Sequence, residues 1–303
     1  MTSRLVWVPF PAQRLDPLPG GIEVEEYAGG PLPQSASRVQ VLVSPYDTGL
    51  DLSELLPRLP RLKVLQTQTA GVDNVERHVP ASVTLCNARG VHDASTAELA
   101  VALILASLRG LPEYVRQAQT GRWRSGMRPA LADRQVLVVG HGSIGAALER
   151  RLEGFECDVV RVARRAREGV HDWEQLPRLL PAADVVVLLV PLNDETRHLV
   201  DTAFLARMKD GALLVNVARG PVVDTRALVA ECASGRLSAA LDVTDPEPLP
   251  AAHPLWRTPG VLISPHVGGA TTAMQPRVIR LIREQLGRFA AGEPLLNVVR
   301  AGD

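Results

Sequence analysis

Between residues 134 and 264 six short apolar runs recur at regular intervals: QVLVV (135–139), DVVRV (158–162), DVVVLLV (184–190), ALLVNV (212–217), SAALDV (238–243) and VLIS (261–264). The apolar residues are consecutive, not alternate, so each run would be buried on both faces. A parallel sheet covered by helices meets that demand, and helix-compatible segments separate the first five runs. The expected class is α/β with a doubly wound sheet. The first run leads straight into GHGSIG, where Gly140, Gly142 and Gly145 have the spacing of a dinucleotide phosphate loop. There the first glycine permits a tight turn, the second lets backbone approach a pyrophosphate, and the third lets helix pack on strand. The amides of Ser143 and Ile144, opening the next helix, would face the phosphates.

The second run ends in VVRVARRAR (159–167). A chain that binds NAD places Asp or Glu at this strand end to hold the ribose hydroxyls. Here Ala163 takes the acid's place, followed by Arg164 and Arg165. Guanidinium groups bind phosphate through charge-assisted, bidentate bonds. The pair therefore points to the 2′-phosphate of NADP (NADPH), with NAD as the other possible cofactor. The alternative is a solvated basic strand end, in a chain whose only lysines are Lys63 and Lys209.

The first hundred residues carry further β-branched runs: LVWV near 5, VQVLVS near 40, KVLQTQ near 64 and VTLC near 84. Prolines and glycines between 9 and 33 read as loops. ASTAELAVALILASLRG (94–110) reads as a buried helix, with Ser95 and Glu98 as a capping box and Gly110 with Pro112 closing it. The stretch 116–133 reads as an excursion before a new unit begins. A length of 303 residues accommodates two domains, and 33 basic against 33 acidic residues leave no net charge to recruit nucleic acid or a membrane surface. Three scattered cysteines, Cys86, Cys157 and Cys232, read as reduced thiols, with neither a disulfide framework nor a metal site. With no apolar run long enough to span a membrane, and no signal-peptide core at the start, the expected location is cytoplasmic.

Candidate chemistry sits just beyond the last three runs: Arg219 in NVARGPVVD, Asp242 and Glu247 in DVTDPEPLP, and His266 in SPHVGGATT. In an open α/β sheet, ligands bind outside the carboxyl ends of the strands. Hydride transfer to a ketone builds negative charge on oxygen, which a proton donor must quench. His266 is the natural donor because imidazole titrates near neutral pH. Glu247 would accept its other N–H and favour the imidazolium form, and Arg219 would bind a substrate carboxylate and polarise the carbonyl.

The sequence resembles the D-isomer-specific 2-hydroxyacid dehydrogenase family over most of its length. The resemblance is carried by TAGVDNVE (69–76), NARGVHDASTAELAVALILA (87–106), VVGHGSIG (138–145), DVVVLLVPLNDETRHLV (184–200), MKDGALLVNVARGPVVDTRALV (208–229), SAALDVTDPEPLP (238–250) and SPHVGGAT (264–271). It implies Arg219, Glu247 and His266 as the catalytic trio, and Ala70, Gly71 and Val72 as the backbone that binds the substrate carboxylate. It puts Pro191, Thr196, Val217, Ala218, Asp242 and Gly268 on the cofactor, with Asp242 near the nicotinamide amide. It also implies a Rossmann cofactor domain at 98–270, inserted into a flavodoxin-like substrate domain of residues 1–97 plus 271–303. Helices near 95–109 and 271–291 would be hinges, and 110–133 would be either a homodimer arm or a surface loop.

Within the family the pattern looks like NADPH-dependent glyoxylate or hydroxypyruvate reductases, which reduce a small 2-keto acid to the D-2-hydroxy acid. Formate-oxidising members carry glutamine at the Glu247 position, and phosphite-oxidising members carry lysine where this chain has Ala70. The regulatory domain of many phosphoglycerate dehydrogenases is not expected after the last helix. Two alternatives stay open: NAD-dependent oxidation of a D-2-hydroxy acid, and a nucleotide-sensing, corepressor-like binding protein. Substrate selectivity is expected in loops near 45–47, 69–73 and in the 120s.

Overall fold

The computed structural model describes residues 3–46 and 50–302. Position 47, in the first of the expected selectivity loops, lies outside the described residues. In chain order the strands are β1 (Arg4–Val8), β2 (Ile22–Glu26), β3 (Val39–Val43), β4 (Val64–Gln66), β5 (Thr84–Cys86), β6 (Gln135–Val139), β7 (Asp158–Val162), β8 (Val185–Leu188), β9 (Leu213–Asn216), β10 (Ser238–Leu241), β11 (Val261–Ile263) and β12 (Val298–Arg300). The helices are α1 (Leu52–Leu55), α2 (Asp93–Leu108), α3 (Leu111–Gln119), α4 (Ser143–Leu152), α5 (Leu176–Leu179), α6 (Thr202–Arg207), α7 (Thr225–Ala233) and α8 (Met274–Ala291). The chain divides into two compact units, Met1–His92 with Thr272–Asp303, and Asp93–Thr271. Among the described residues no single helix is long and apolar enough to cross a membrane.

In the first unit the sheet order is β12-β5-β4-β3-β1-β2. Strands β1 to β5 are parallel and β12 runs antiparallel on β5. The order 2-1-3-4-5 is that of flavodoxin-like sheets. Alternation along β1 splits the core: Val6 and Val8 pack with Val278, Ile282 and Leu286 of α8, whereas Leu5 and Trp7 pack with Leu55, Leu56 and Leu59 on the other face. Strand β2 corrects the expectation of loops throughout 9–33. Its sequence IEVEE is an acidic edge strand that, among the described residues, pairs only with β1, and charge on an edge discourages further pairing.

In the second unit the order is β11-β10-β9-β8-β6-β7, all parallel. Beyond β7 a single parallel bridge, Val162 to His171, occupies the place of a further strand, which completes the order of a Rossmann sheet. Both faces are covered, as consecutive apolar residues require. Val136, Val138, Val185 and Val187 face Ala97, Ala100 and Ile104 of α2 and Leu148 of α4. Leu137, Val139, Val186 and Leu188 pack on the opposite face with Phe204, Leu205 and Leu228.

Helix α2 starts at Asp93, so the expected capping box at Ser95 and Glu98 does not form. Ser95 is buried in the first turn and its hydroxyl meets that of Thr271 at 2.6 Å. Gly110 takes a left-handed conformation, φ 66°, after α2. Pro112 then opens α3 instead of ending a helix, because a first-turn residue needs no backbone N–H.

Candidate active site

Strands β9, β10 and β11 are adjacent and parallel, so Arg219, Glu247 and His266 leave the sheet at one edge. His266 has a positive φ of 52°, a conformation rare for a residue with a Cβ. It is held there by its amide, which donates to the carbonyl oxygen of Asp242 at 2.7 Å. The buried Asp242 carboxylate anchors the rest of the loop. Its Oδ1 accepts from Ser264 Oγ at 2.6 Å and Val267 N at 2.9 Å, and its Oδ2 accepts from Gly268 N at 2.8 Å. A Cβ on Gly268 would lie 2.9 Å from that oxygen, so glycine lets the loop close on it. The loop presents an exposed imidazole whose Nδ1 is 2.5 Å from Glu247 Oε1. With Nδ1–H donating to the carboxylate, Nε2 is the nitrogen left for a ligand.

Arg219 is half-buried, and one of its guanidinium nitrogens donates to the Ala218 carbonyl at 2.8 Å. Its turn is braced by Asn216, a buried residue that reading the sequence did not single out. The Asn216 amide takes Ala218 N at 3.0 Å and gives to Arg219 O at 3.0 Å. The next residue, Gly220, presses on the β10 loop so closely that a Cβ would lie 1.9 Å from Thr244 O. That loop is in turn fastened by Thr225 Oγ1 donating to Asp245 O at 2.8 Å. Backbone contact therefore couples the Arg219 turn to the segment carrying Glu247. Only three-dimensional contact reveals the bracing by Asn216 and the approach of Gly220 to Thr244; the motif NVARG shows where to look.

Strands β8, β6 and β7 carry the other end of the edge, and the glycine loop there has the contacts its spacing predicts. A Cβ on Gly140 would lie 2.5 Å from the Leu189 backbone, and one on Gly145 would lie 2.7 Å from Gly140 O. Gly142 has nothing within 4 Å of its Cβ position and opens α4 with no side-chain cap. The first-turn amides of α4, from Ser143 and Ile144, have no intrahelical acceptor. Close packing at two glycines and open space at the middle one fit a dinucleotide pyrophosphate.

Ala163 N donates to His171 O at 2.9 Å, and Arg164 and Arg165 follow, both exposed. Arg164 pairs with Glu195 at 2.6 Å. Arg167, to which the sequence assigned nothing, reaches back to the glycine loop and donates to His141 O at 2.5 Å. On the other side of His141, Nε2 lies 2.7 Å from Glu149, which also pairs with Arg161. The bond from Arg161 is the main cause holding the Glu149 carboxyl below its usual range, and the contact with His141 adds to it.

The β8 loop places Pro191 at the surface and Thr196 wholly within. The Thr196 hydroxyl donates to Pro191 O at 2.6 Å and accepts from Asn193 N at 2.8 Å, so that side chain fastens the loop from inside. Val217 and Ala218 are also buried.

In the first unit the Ala70, Gly71 and Val72 loop follows β4. Its carbonyls are engaged: Thr69 O by Thr67 Oγ1, Ala70 O by Asn87 Nδ2 and Gly71 O by Thr69 Oγ1. Side chains thus fix the loop by its carbonyls. The three cysteines are free, and burial pushes the Cys86 and Cys232 thiols up to about 11.

A family model for the NAD binding domain of D-isomer specific 2-hydroxyacid dehydrogenases matches residues 101–268. The chain is 32% identical over 275 residues to a glyoxylate reductase of Korarchaeum cryptofilum, covering 86% of this chain and 81% of that one. It is 36% identical over 233 residues, 72% of each chain, to glyoxylate/hydroxypyruvate reductase B of Citrobacter koseri. A solved D-isomer specific 2-hydroxyacid dehydrogenase from Xanthobacter autotrophicus Py2, in complex with NADPH and MES, is similar with a TM-score of 0.82. It shares 31% identity, over 99% of this chain and 98% of that one. The chain belongs to the D-isomer-specific 2-hydroxyacid dehydrogenase family. It is an oxidoreductase that binds a nicotinamide cofactor and acts on small 2-hydroxy or 2-keto acids.

Proposed function

We propose that the chain reduces a small 2-keto acid, glyoxylate or hydroxypyruvate first, to the D-2-hydroxy acid with NADPH. The observation that carries this is the His266–Glu247 pair at 2.5 Å on an exposed imidazole, beside the Arg219 turn. The cofactor, when bound, supplies the hydride. His266 Nε2 gives its proton to the substrate's carbonyl oxygen while Glu247 holds Nδ1–H and stabilises the charged ring. Arg219 binds the substrate carboxylate and polarises the carbonyl, and the Ala70, Gly71 and Val72 loop is read as a carboxylate-binding segment in its own unit. Asp242 holds the His266 loop from below, and its nearness to the nicotinamide amide is part of the proposal. Gly140, Gly142, Ser143, Ile144 and Gly145 take the pyrophosphate, with Pro191, Val217, Ala218 and Gly268 lining the cofactor's path.

For the choice of NADPH, the support is the absent acid at Ala163 beside two exposed arginines, Arg164 and Arg165. Glyoxylate and hydroxypyruvate are suggested by the names of the two relatives above. The test is a panel of 2-keto acids with NADPH and with NADH, following cofactor absorbance. Turnover of glyoxylate or hydroxypyruvate with NADPH at lower KM than with NADH is expected. No turnover of any keto acid would sink the reaction; a preference for NADH would sink only the cofactor choice.

Pairing into a homodimer through 110–133 belongs to the same proposal. Its support is the apolar surface there: Trp123 and Met127 are 95% and 102% exposed, and Leu111 and Val115 stand out from α3. Light scattering should give twice the 32.7 kDa chain mass, and a monomer would remove the arm's role.

A further inference from the structure

Arg164 leaves the end of β7, and Glu195 lies in the loop after β8. These two strands flank β6 in the sheet, and β6 carries the glycine loop. The 2.6 Å ion pair between them therefore bridges the two sides of the nucleotide end, across the loop that would hold the pyrophosphate. The Glu195 backbone is fixed independently of the pair, because its amide donates to Asn193 Oδ1 at 3.0 Å and the buried Thr196 beside it staples the turn. The carboxylate is thus delivered to Arg164 by a loop with its own internal bonding.

We propose that Glu195 is an internal competitor for the cofactor's 2′-phosphate: it occupies Arg164 in the free protein and is displaced when that phosphate binds. This rests on the NADPH reading above. A carboxylate and a phosphate are both oxygen acceptors for a guanidinium, so a phosphate can take the Arg164 nitrogen that Glu195 Oε1 occupies. Both side chains of the pair are largely exposed, 63% and 49%. Exposed pairs of this kind are weak, so the exchange is inexpensive and reversible. After exchange the Glu195 charge faces the incoming phosphate across the same opening, and the repulsion trims the advantage of NADPH over NADH. Glu195 is by this argument a specificity-determining residue that lowers a preference which Arg164 creates.

The experiment measures binding by calorimetry on the full chain, with adenosine 2′,5′-bisphosphate and adenosine 5′-monophosphate as probes. They differ only in the 2′-phosphate. Glu195→Gln is expected to tighten the bisphosphate by about two- to five-fold, the size of an exposed ion pair, and to leave the monophosphate unchanged. Arg164→Ala should weaken the bisphosphate about ten-fold or more, as loss of a charge-assisted bond would, and the Glu195→Gln gain should vanish in that background. Asp194→Asn removes the same charge from the neighbouring exposed position and should leave both probes within twofold.

Unchanged or weaker bisphosphate binding in Glu195→Gln overturns the competitor, as does an equal gain for the two probes or for Asp194→Asn. A selective loss of monophosphate binding in Glu195→Gln also overturns it, because the carboxylate would then be serving the ribose. In all these cases a selective loss of bisphosphate in Arg164→Ala keeps the NADPH reading. If the ratio of the two probes is unmoved by Arg164→Ala and by the Arg164→Ala/Arg165→Ala double variant, the NADPH reading itself fails.

Discussion

The ends of β9, β10 and β11 and the ends of β8, β6 and β7 lie along one edge of one sheet, yet they hold their side chains differently. At the first group, buried polar atoms fix exposed ones. Asp242 uses both carboxylate oxygens on the His266 loop, Asn216 ties the Arg219 turn, and Gly220 brings backbone against backbone. At the second group the glycine loop is equally tight, but the groups assigned to the cofactor's far end, Arg164 and Arg165, are exposed arginines, and Arg164 pairs with Glu195 through a solvent-facing contact. Proton transfer tolerates little displacement, so its groups need a stiff support. An arginine's planar fork carries its own donor geometry, so an exposed guanidinium can bind a phosphate with less support from its surroundings.

The largest effect should come from the stiff end. His266→Asn keeps a residue type that accepts a positive φ, so the loop survives while the titrating ring is lost. Its kcat for keto-acid reduction should fall by about 10²- to 10⁴-fold, with nucleotide affinity unchanged; stopped-flow and calorimetry separate the two. A decrease under tenfold would remove His266 from the proton transfer.

Two glycine substitutions come next, one at each end. Gly220→Ala sets a Cβ into the Thr244 carbonyl and should cost on the order of 3 kcal/mol by denaturant titration. Gly142→Ala meets open space, so its melting temperature should stay near the parent's while dinucleotide binding weakens. Equal stability losses would erase the contrast between the two ends. The smallest effect belongs to the exposed end: Ala163→Asp should move the NADPH to NADH preference about ten-fold toward NADH, near 1.4 kcal/mol. An unchanged ratio of KM values would mean the ribose does not sit at this strand end.

Much of the cofactor unit was legible before any coordinates. The runs read at 135–139 and 158–162 are β6 and β7 to the residue, because valine-rich stretches followed by the glycine loop and by the Ala163–Arg164 turn leave little choice. The glycine loop was legible for the same reason: its spacing encodes contacts that later appear as close Cβ approaches at Gly140 and Gly145 and open space at Gly142. The pair of His266 with Glu247 followed from where strands end. What escaped was set by partners distant in sequence. Strand β2 hid because an edge strand need not be apolar, and Ser95 passed for a cap because its real partner, Thr271, is 176 residues away. Thr196, which the resemblance puts on the cofactor, has its hydroxyl bonded to Pro191 and Asn193, contacts that the motif does not show. Asn216 carried no signal beyond its neighbourhood.

The division of the chain also sets an order of assembly. The unit Asp93–Thr271 is one continuous segment, whereas the first unit takes β1 to β5 from one end of the sequence and α8 and β12 from the other. On a ribosome, the face of Val6, Val8, Val41 and Val43 emerges long before the helix that covers it. At typical elongation rates it waits about ten to forty seconds, while the whole second unit is made. During that interval this apolar face lacks its α8 cover and is open to a chaperone, whereas the continuous unit carries its covering helices within its own segment.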